Sequence, residues 1–184
     1  MIILEGADNS GKSTLGKKLA KKFHLPLVHS SRPKGNLLPL EILSHSNNQL
    51  KPSKTIQDRV YAISEYVYGH VIRGKTDLGA HHAIALEDLY SRDHLIIYCR
   101  PNLKTILKNV GREQMEGVID NHPELVNEYD ELMVDIGRYS NNKVVRYDYE
   151  LDPINYVYER VADHLSKLYS QESSIHFLTR IKHA

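Results

Sequence analysis

The chain has 184 residues, 41% of them hydrophobic and 26% charged, with a formal net charge of +1. That length suits one domain spanning 1–184, and the near-zero charge excludes a global field that would draw the protein onto nucleic acid or a membrane. The single cysteine, Cys99, excludes an intrachain disulfide and a Cys-rich zinc site, and no apolar run approaches the ~20 residues of a membrane-spanning helix.

In chain order, Ile2-Ile3-Leu4 is a short apolar run that ends in Glu5-Gly6, and a helical pattern follows it directly. Leu15, Leu19 and Phe23 recur on one face, with Lys17, Lys18, Lys21 and Lys22 on the others. Leu27 to His29 reads as a second strand, and Ser30 to Asn36 as a loop broken by Pro33 and Gly35. Residues 37–43 read as a short helix and the polar stretch 44–53 as irregular. Thr55-Ile56-Gln57 is a third strand ending at Asp58-Arg59; residues 63–73 and 83–90 are helical. Leu95 to Cys99 is a continuous apolar run of the kind a buried parallel strand shows, and Cys99 within it reads as a small buried residue. Pro101 and Asn102 open a helix that Gly111 stops; residues 124–136 form another, with Leu125, Tyr129, Leu132 and Ile136 on one stripe. Val144 to Tyr147 is a fifth strand, and 156–168 a closing helix. Alternation of strand and helix predicts an α/β fold, three layers deep, around a five-stranded parallel sheet.

Gly6-Ala7-Asp8-Asn9-Ser10-Gly11-Lys12-Ser13 matches G-x-x-x-x-G-K-[ST] in full, between a strand and an amphipathic helix. Glycines let the backbone curl so that its N–H groups and the next helix N-terminus cradle a triphosphate. Gly6, Asn9, Ser10, Gly11, Lys12, Ser13 and Thr14 are therefore the expected ATP contacts. Lys12 puts a charge at the β/γ-phosphates and Ser13 offers its hydroxyl to Mg²⁺. Asp58-Arg59 follows a short strand, where the ends of such sheets face a ligand crevice; Asp58 suits Mg²⁺, and the Arg59 fork suits a phosphate. The eleven histidines are scattered and lack the zinc spacings.

With these residues in view, the chain resembles the thymidylate kinase family of P-loop nucleoside monophosphate kinases. The resemblance rests on Leu4 to Thr14, a Glu-Gly-x-Asp type of P-loop. It is extended by Asp58-Arg59 with Ser64 to Tyr68, by Ser31-Arg32-Pro33-Lys34-Gly35, and by Leu95 to Pro101 with a basic lid near 111–118. It implies a P-loop kinase fold, a phosphotransferase, and ATP and Mg²⁺ as cofactors; the lone cysteine permits a reducing, cytoplasmic setting. It also implies a deoxynucleoside monophosphate as acceptor. By resemblance Asp8 contacts the acceptor sugar, Asp58 and Arg59 serve Mg²⁺ and phosphates, Arg112 reaches the transferring phosphoryl group, and Arg32 clamps the acceptor phosphate. The segment between Lys12 and Asp58 is short for that family, and residues 36–53 hold no arginine, phenylalanine, tyrosine or tryptophan. The acceptor base must then meet side chains such as Tyr61, Tyr66, Tyr68 or His70.

The short segment opens a second reading, in which the crevice admits a base flipped from DNA and the acceptor is a hydroxymethyl group on a modified uracil, as in some phage members resembling this family. A hydroxyl acceptor needs a carboxylate to take its proton, for which Asp8 and Glu5 are the candidates. The lysine row could touch a DNA backbone, although a solvated helix face explains it more simply. A third reading is a non-catalytic ATP-binding switch. The acceptor base and the oligomeric state, a homodimer included, stay open.

Overall fold

The structure of the protein, a computed structural model, describes residues 1–30, 37–51, 53–109 and 117–182, with side chains described as far as residue 170. The strands β1 (Ile2–Glu5), β2 (Leu27–His29), β3 (Ile56–Asp58), β4 (Leu95–Cys99) and β5 (Lys143–Tyr147) pair in the order β2-β3-β1-β4-β5. Every pairing is parallel. Parallel strands need crossovers, and here helices supply them on both faces.

The alternation of side chains along β1 and β4 divides the core in two. Ile3, Ile96 and Tyr98 point to one face, covered by α2 (Pro39–Gln49), α3 (Tyr61–Arg73), α4 (His82–Ser91), α5 (Leu103–Lys108) and α6 (His122–Tyr139). Ile2, Leu4, Leu95, Ile97 and Cys99 point to the other, covered by α1 (Lys12–Phe23) and α7 (Ile154–Lys182). Ile2, Ile3 and Leu4 are all but inaccessible, and each stabilises the fold by roughly 1.5–3 kcal/mol relative to exposure. The expected three-layer fold and five-stranded parallel sheet are both present.

Several boundaries differ from expectation. Residues 44–49, expected to be irregular, continue α2, which runs from Pro39 to Gln49. Pro39 occupies its first turn, and Glu41 Oε2 accepts from the Leu38 N–H at 2.8 Å. Its buried residues are Ile42 and Ser46, and Leu50 just past its end continues the spacing of four; with a serine in the middle, apolar periodicity alone does not reveal it. α3 begins at Tyr61, two residues early, where Gln49 Oε1 accepts the Tyr61 N–H at 2.8 Å. α5 is short; Asn102 caps it by accepting from Lys104 N at 3.0 Å, and Gly111, the expected stop, lies outside the described residues. α6 and α7 extend beyond the expected ends.

Candidate functional site

β1 is central in the sheet. The chain leaves it for β2 and β3 on one side and returns for β4 and β5 on the other. That reversal opens a crevice at the carboxyl ends of the strands. Glu5 and the loop after it, His29, Asp58 and Cys99 all lie at those ends.

The loop 6–11 curls because two of its residues tolerate backbones that others resist. Gly6 has φ +137°, and a Cβ there would collide with the Cys99 carbonyl oxygen; Gly11 caps α1 in the left-handed region. Asn9 is also left-handed, at φ +64°, a conformation asparagine accepts more readily than most residues. The first turn of α1 carries no acidic side chain, so its N–H groups and dipole are open to an anion.

Lys12 is buried, and its Nζ donates to the carbonyls of Gly6 at 2.8 Å and Ala7 at 2.6 Å. Burial, and then the neighbouring Arg59 charge, push its ammonium down to about 8. Ser13 Oγ donates to Asp58 Oδ2 at 2.8 Å. The same carboxylate oxygen lies 3.0 Å from His29 Nδ1; Asp58 is buried and His29 is 58% exposed. A hydroxyl beside a buried carboxylate at the foot of this glycine-containing loop is a donor set that fits Mg²⁺, a hard cation with oxygen ligands. Ser10 is buried, whereas Thr14 is exposed.

Arg59 is the second focus. Its backbone is left-handed, φ +74°, and its N–H donates to Leu4 O at 2.9 Å. Arg59 Nη2 donates to Asp8 Oδ1 at 2.6 Å and to Tyr68 Oη at 2.9 Å, and the Asp8 N–H donates to the same hydroxyl at 3.1 Å. Burial alone would raise the Asp8 carboxyl, but the charges of Arg59 and Lys12 outweigh it and hold the group below its ordinary value. Glu5 lies beneath, fully buried; burial pushes its carboxyl up to about 7 against the opposing pull of the Val60 N–H, Arg59 and Lys12.

Of the tyrosines expected near an acceptor, Tyr68 reaches the loop. Tyr61 is buried, its hydroxyl donating to Asp77 at 3.2 Å. Tyr66 sits on another face of α3, its ring against His70 and His82. Those rings help line a cavity of about 390 Å³, together with Lys75, Thr76 and Leu86. Arg32 and Arg112, with most of the expected lid, lie outside the described residues. Lys17, Lys18, Lys21 and Lys22 are all exposed, as a solvated helix face requires. Among the described residues no group of three His, Cys, Asp or Glu could hold a metal ion, and no helix is long and apolar enough to cross a membrane.

Two participants escaped sequence reasoning. Tyr129 was legible only as one member of an apolar helix stripe, yet its hydroxyl donates to Glu5 Oε2 at 3.3 Å. Arg100, just past β4, is held by Asp130 through Nε and Nη2 at 3.0 and 2.9 Å, and Tyr98 Oη donates to Asp130 at 2.8 Å. The position of Arg100 at a strand end was the available signal.

The fold is that of P-loop kinases. Among solved structures it is similar to the YorR protein of Bacillus subtilis in complex with phosphorylated GDP, at TM-score 0.68 and 22% identity over 92% of this chain and 97% of that one. It is also similar to deoxyadenosine kinase from M. mycoides with bound dCTP, at TM-score 0.63 and 19% identity over 89% and 100% of the two chains. A third similar structure is thymidylate kinase from Candida albicans, at TM-score 0.57 and 15% identity over 91% of each. No protein-family model matches the chain, and no curated protein sequence does either.

Proposed function

We propose that the protein is an ATP- and Mg²⁺-dependent phosphotransferase that moves the γ-phosphoryl group to a deoxynucleoside monophosphate. The observation that carries this reading is the Ser13–Asp58 pair at 2.8 Å beside buried Lys12, at the N-terminus of a helix free of acidic residues. Phosphoryl transfer asks mainly for positioning and for positive charge around the phosphate oxygens. Lys12 and the helix N-terminus supply it on the donor side. Arg59 supplies it between donor and acceptor, and Arg32 and Arg112 are the remaining candidates. Ser13 and Asp58 would hold the Mg²⁺, which neutralises charge on the β- and γ-oxygens when bound. Kinases acting on deoxynucleosides and on thymidylate are among the proteins that share the fold.

The acceptor is argued from the carboxylates. A monophosphate arrives as an anion and needs no proton removed, whereas a hydroxyl on a base in DNA needs a general base. The two carboxylates the sequence offered for that task are both engaged. Asp8 is ion-paired to Arg59 with its proton affinity lowered, and Glu5 is fully buried with the Val60 N–H on Oε1. One observation favours a hydroxyl acceptor: His29 shares Asp58 with Ser13 and is more than half exposed at the crevice edge.

A screen with labelled ATP and Mg²⁺ tests the choice, offering each ribo- and deoxynucleoside monophosphate and both hydroxymethylated and unmodified duplex DNA. Transfer to a deoxynucleoside monophosphate is expected. Transfer to hydroxymethylated DNA with no free monophosphate turned over would replace this reading with the second, and hydrolysis without transfer to anything would favour the ATP-binding switch.

A further inference from the structure

We propose that Glu5 and Tyr129 are positioning residues that set Arg59, although neither is placed against the phosphates. Five contacts carry this. Val60, the residue after Arg59, donates its buried N–H to Glu5 Oε1 at 2.7 Å. Tyr129 Oη donates to the other oxygen, Oε2, at 3.3 Å. The Arg59 N–H is tied to Leu4 O at 2.9 Å, one residue before Glu5. The Arg59 guanidinium is tied in turn to Asp8 and to the Tyr68 hydroxyl.

A non-glycine residue at φ +74° is strained unless its surroundings hold it. Glu5 pins the peptide on one side of Arg59 and Leu4 the other, so the strained turn aims the side chain at the P-loop. Tyr129 is itself fixed from both sides, with its ring edge-on to Tyr68 at 6.3 Å and stacked on Tyr98 at 6.1 Å. Through Tyr98, α6 and Asp130 join the same unit. Glu5 is also the buried negative charge beneath two cations, Lys12 and Arg59. The titratable groups facing it are Lys12 from α1, Arg59 after β3, Cys99 from β4 and Tyr129 from α6.

This rests on the kinase reading for its catalytic consequence, but the positioning itself is measurable without turnover. Tyr129→Phe removes one hydroxyl and keeps both ring contacts. Glu5→Gln keeps an oxygen for the Val60 N–H and drops the charge. In the wild-type protein the Val60 amide resonance is expected to titrate with a midpoint near 7, following the Glu5 carboxyl. The midpoint should rise in Tyr129→Phe, which lacks the hydroxyl that favours the carboxylate, and the titration should vanish in Glu5→Gln.

With labelled ATP and an equimolar mixture of the four deoxynucleoside monophosphates, Tyr129→Phe should lose about tenfold in kcat at unchanged KM for ATP, the effect of one hydrogen bond to a charged group. Wild-type turnover should fall on the acid side of pH 7, and that limb should move upward in Tyr129→Phe. A Val60 amide that ignores pH in the wild type would overturn the proposal. So would a Tyr129→Phe protein that matches wild type in midpoint, kcat and pH profile. If the wild type transfers phosphate to nothing, the kinase reading fails and the amide titration still decides the role of Glu5 and Tyr129.

Discussion

Lys12 is held by the loop it would serve: its ammonium turns back onto the carbonyls of Gly6 and Ala7. A triphosphate in the cradle offers stronger, charged acceptors. It also opposes the lowering of the Lys12 proton affinity by burial and Arg59. Lys12→Ala should therefore lose on the order of 10²-fold or more in turnover, as removal of a preorganised electrostatic group does, read from initial rates of label transfer. Asp58→Asn tests the metal reading separately. Asn keeps an oxygen for the Ser13 hydroxyl but loses the charge, so the Mg²⁺ concentration giving half-maximal rate should rise while the thermal midpoint stays close to wild type. An unchanged Mg²⁺ dependence would return Asp58 to the role of a partner for Ser13 and His29 alone. At this scale the P-loop was legible because its chemistry needs fixed residue types at fixed spacing. Asp58 was legible as a strand end. The Asp8–Arg59 pair was not, because it joins residues on neighbouring strand ends that only the β1–β3 pairing brings together. Nor was Tyr129, since a tyrosine on an apolar stripe looks the same whether its hydroxyl meets a carboxylate or nothing.

Among the elements, α1 shows best how local pattern and tertiary burial agree. Leu15 and Leu19 are buried against Ile2, Leu4 and Ile97, while its lysines face outward. Lys21 and Lys22 lie in the last turn, where positive charge suits the helix dipole. Because α1 both completes one core and presents the N-terminus proposed to bind phosphate, its packing and its proposed function are coupled. Leu19→Ala deletes a side chain with no exposed surface and should cost about 2–5 kcal/mol of stability, measured as a lowered urea midpoint with an unchanged slope. α2 is the opposite case. Its sequence is polar, and the helix is fixed by what lies outside it. Gln49 receives the first N–H of α3, and Leu50 is completely buried in the core under α3 and α4. Strand positions were readable from apolar runs flanked by breakers, whereas the order β2-β3-β1-β4-β5 was not, since right-handed crossovers allow a new parallel strand to join either edge.

The molecule as a whole should lose stability in mild acid, and the reason lies near the amino-terminal end of β4, an interior strand, away from the crevice. His94, just before β4, and His164, in α7, are each almost fully buried. His94 Nε2 bonds Leu50 O at 3.2 Å, leaving Nδ1 without a partner, and His164 Nε2 is likewise without one. Burial first, and then nearby positive charge, push both imidazoles down to about 4 from their ordinary value of 6.5. The unfolded chain therefore takes up protons on these histidines as pH falls through 6.5, while the folded chain refuses them until about 4. Stability from these groups is present in full above 6.5 and is lost progressively between 6.5 and 4. Glu5 works the other way. Its folded value near 7 against an ordinary 4.5 means that the folded state holds the extra proton, so its contribution grows as pH falls from 7 to 4.5. Burial lowers the His82 imidazole as well, so the depressed histidines outnumber the one raised carboxyl, and the net slope of unfolding free energy with pH should be positive between 6.5 and 4. His164→Leu removes one of the depressed imidazoles without creating another titrating group. Urea midpoints of this variant, followed from pH 7 to pH 4.5, should fall less steeply than those of the wild type. A wild-type midpoint that rises through that interval would mean that Glu5, not the histidines, dominates the acid response of the fold.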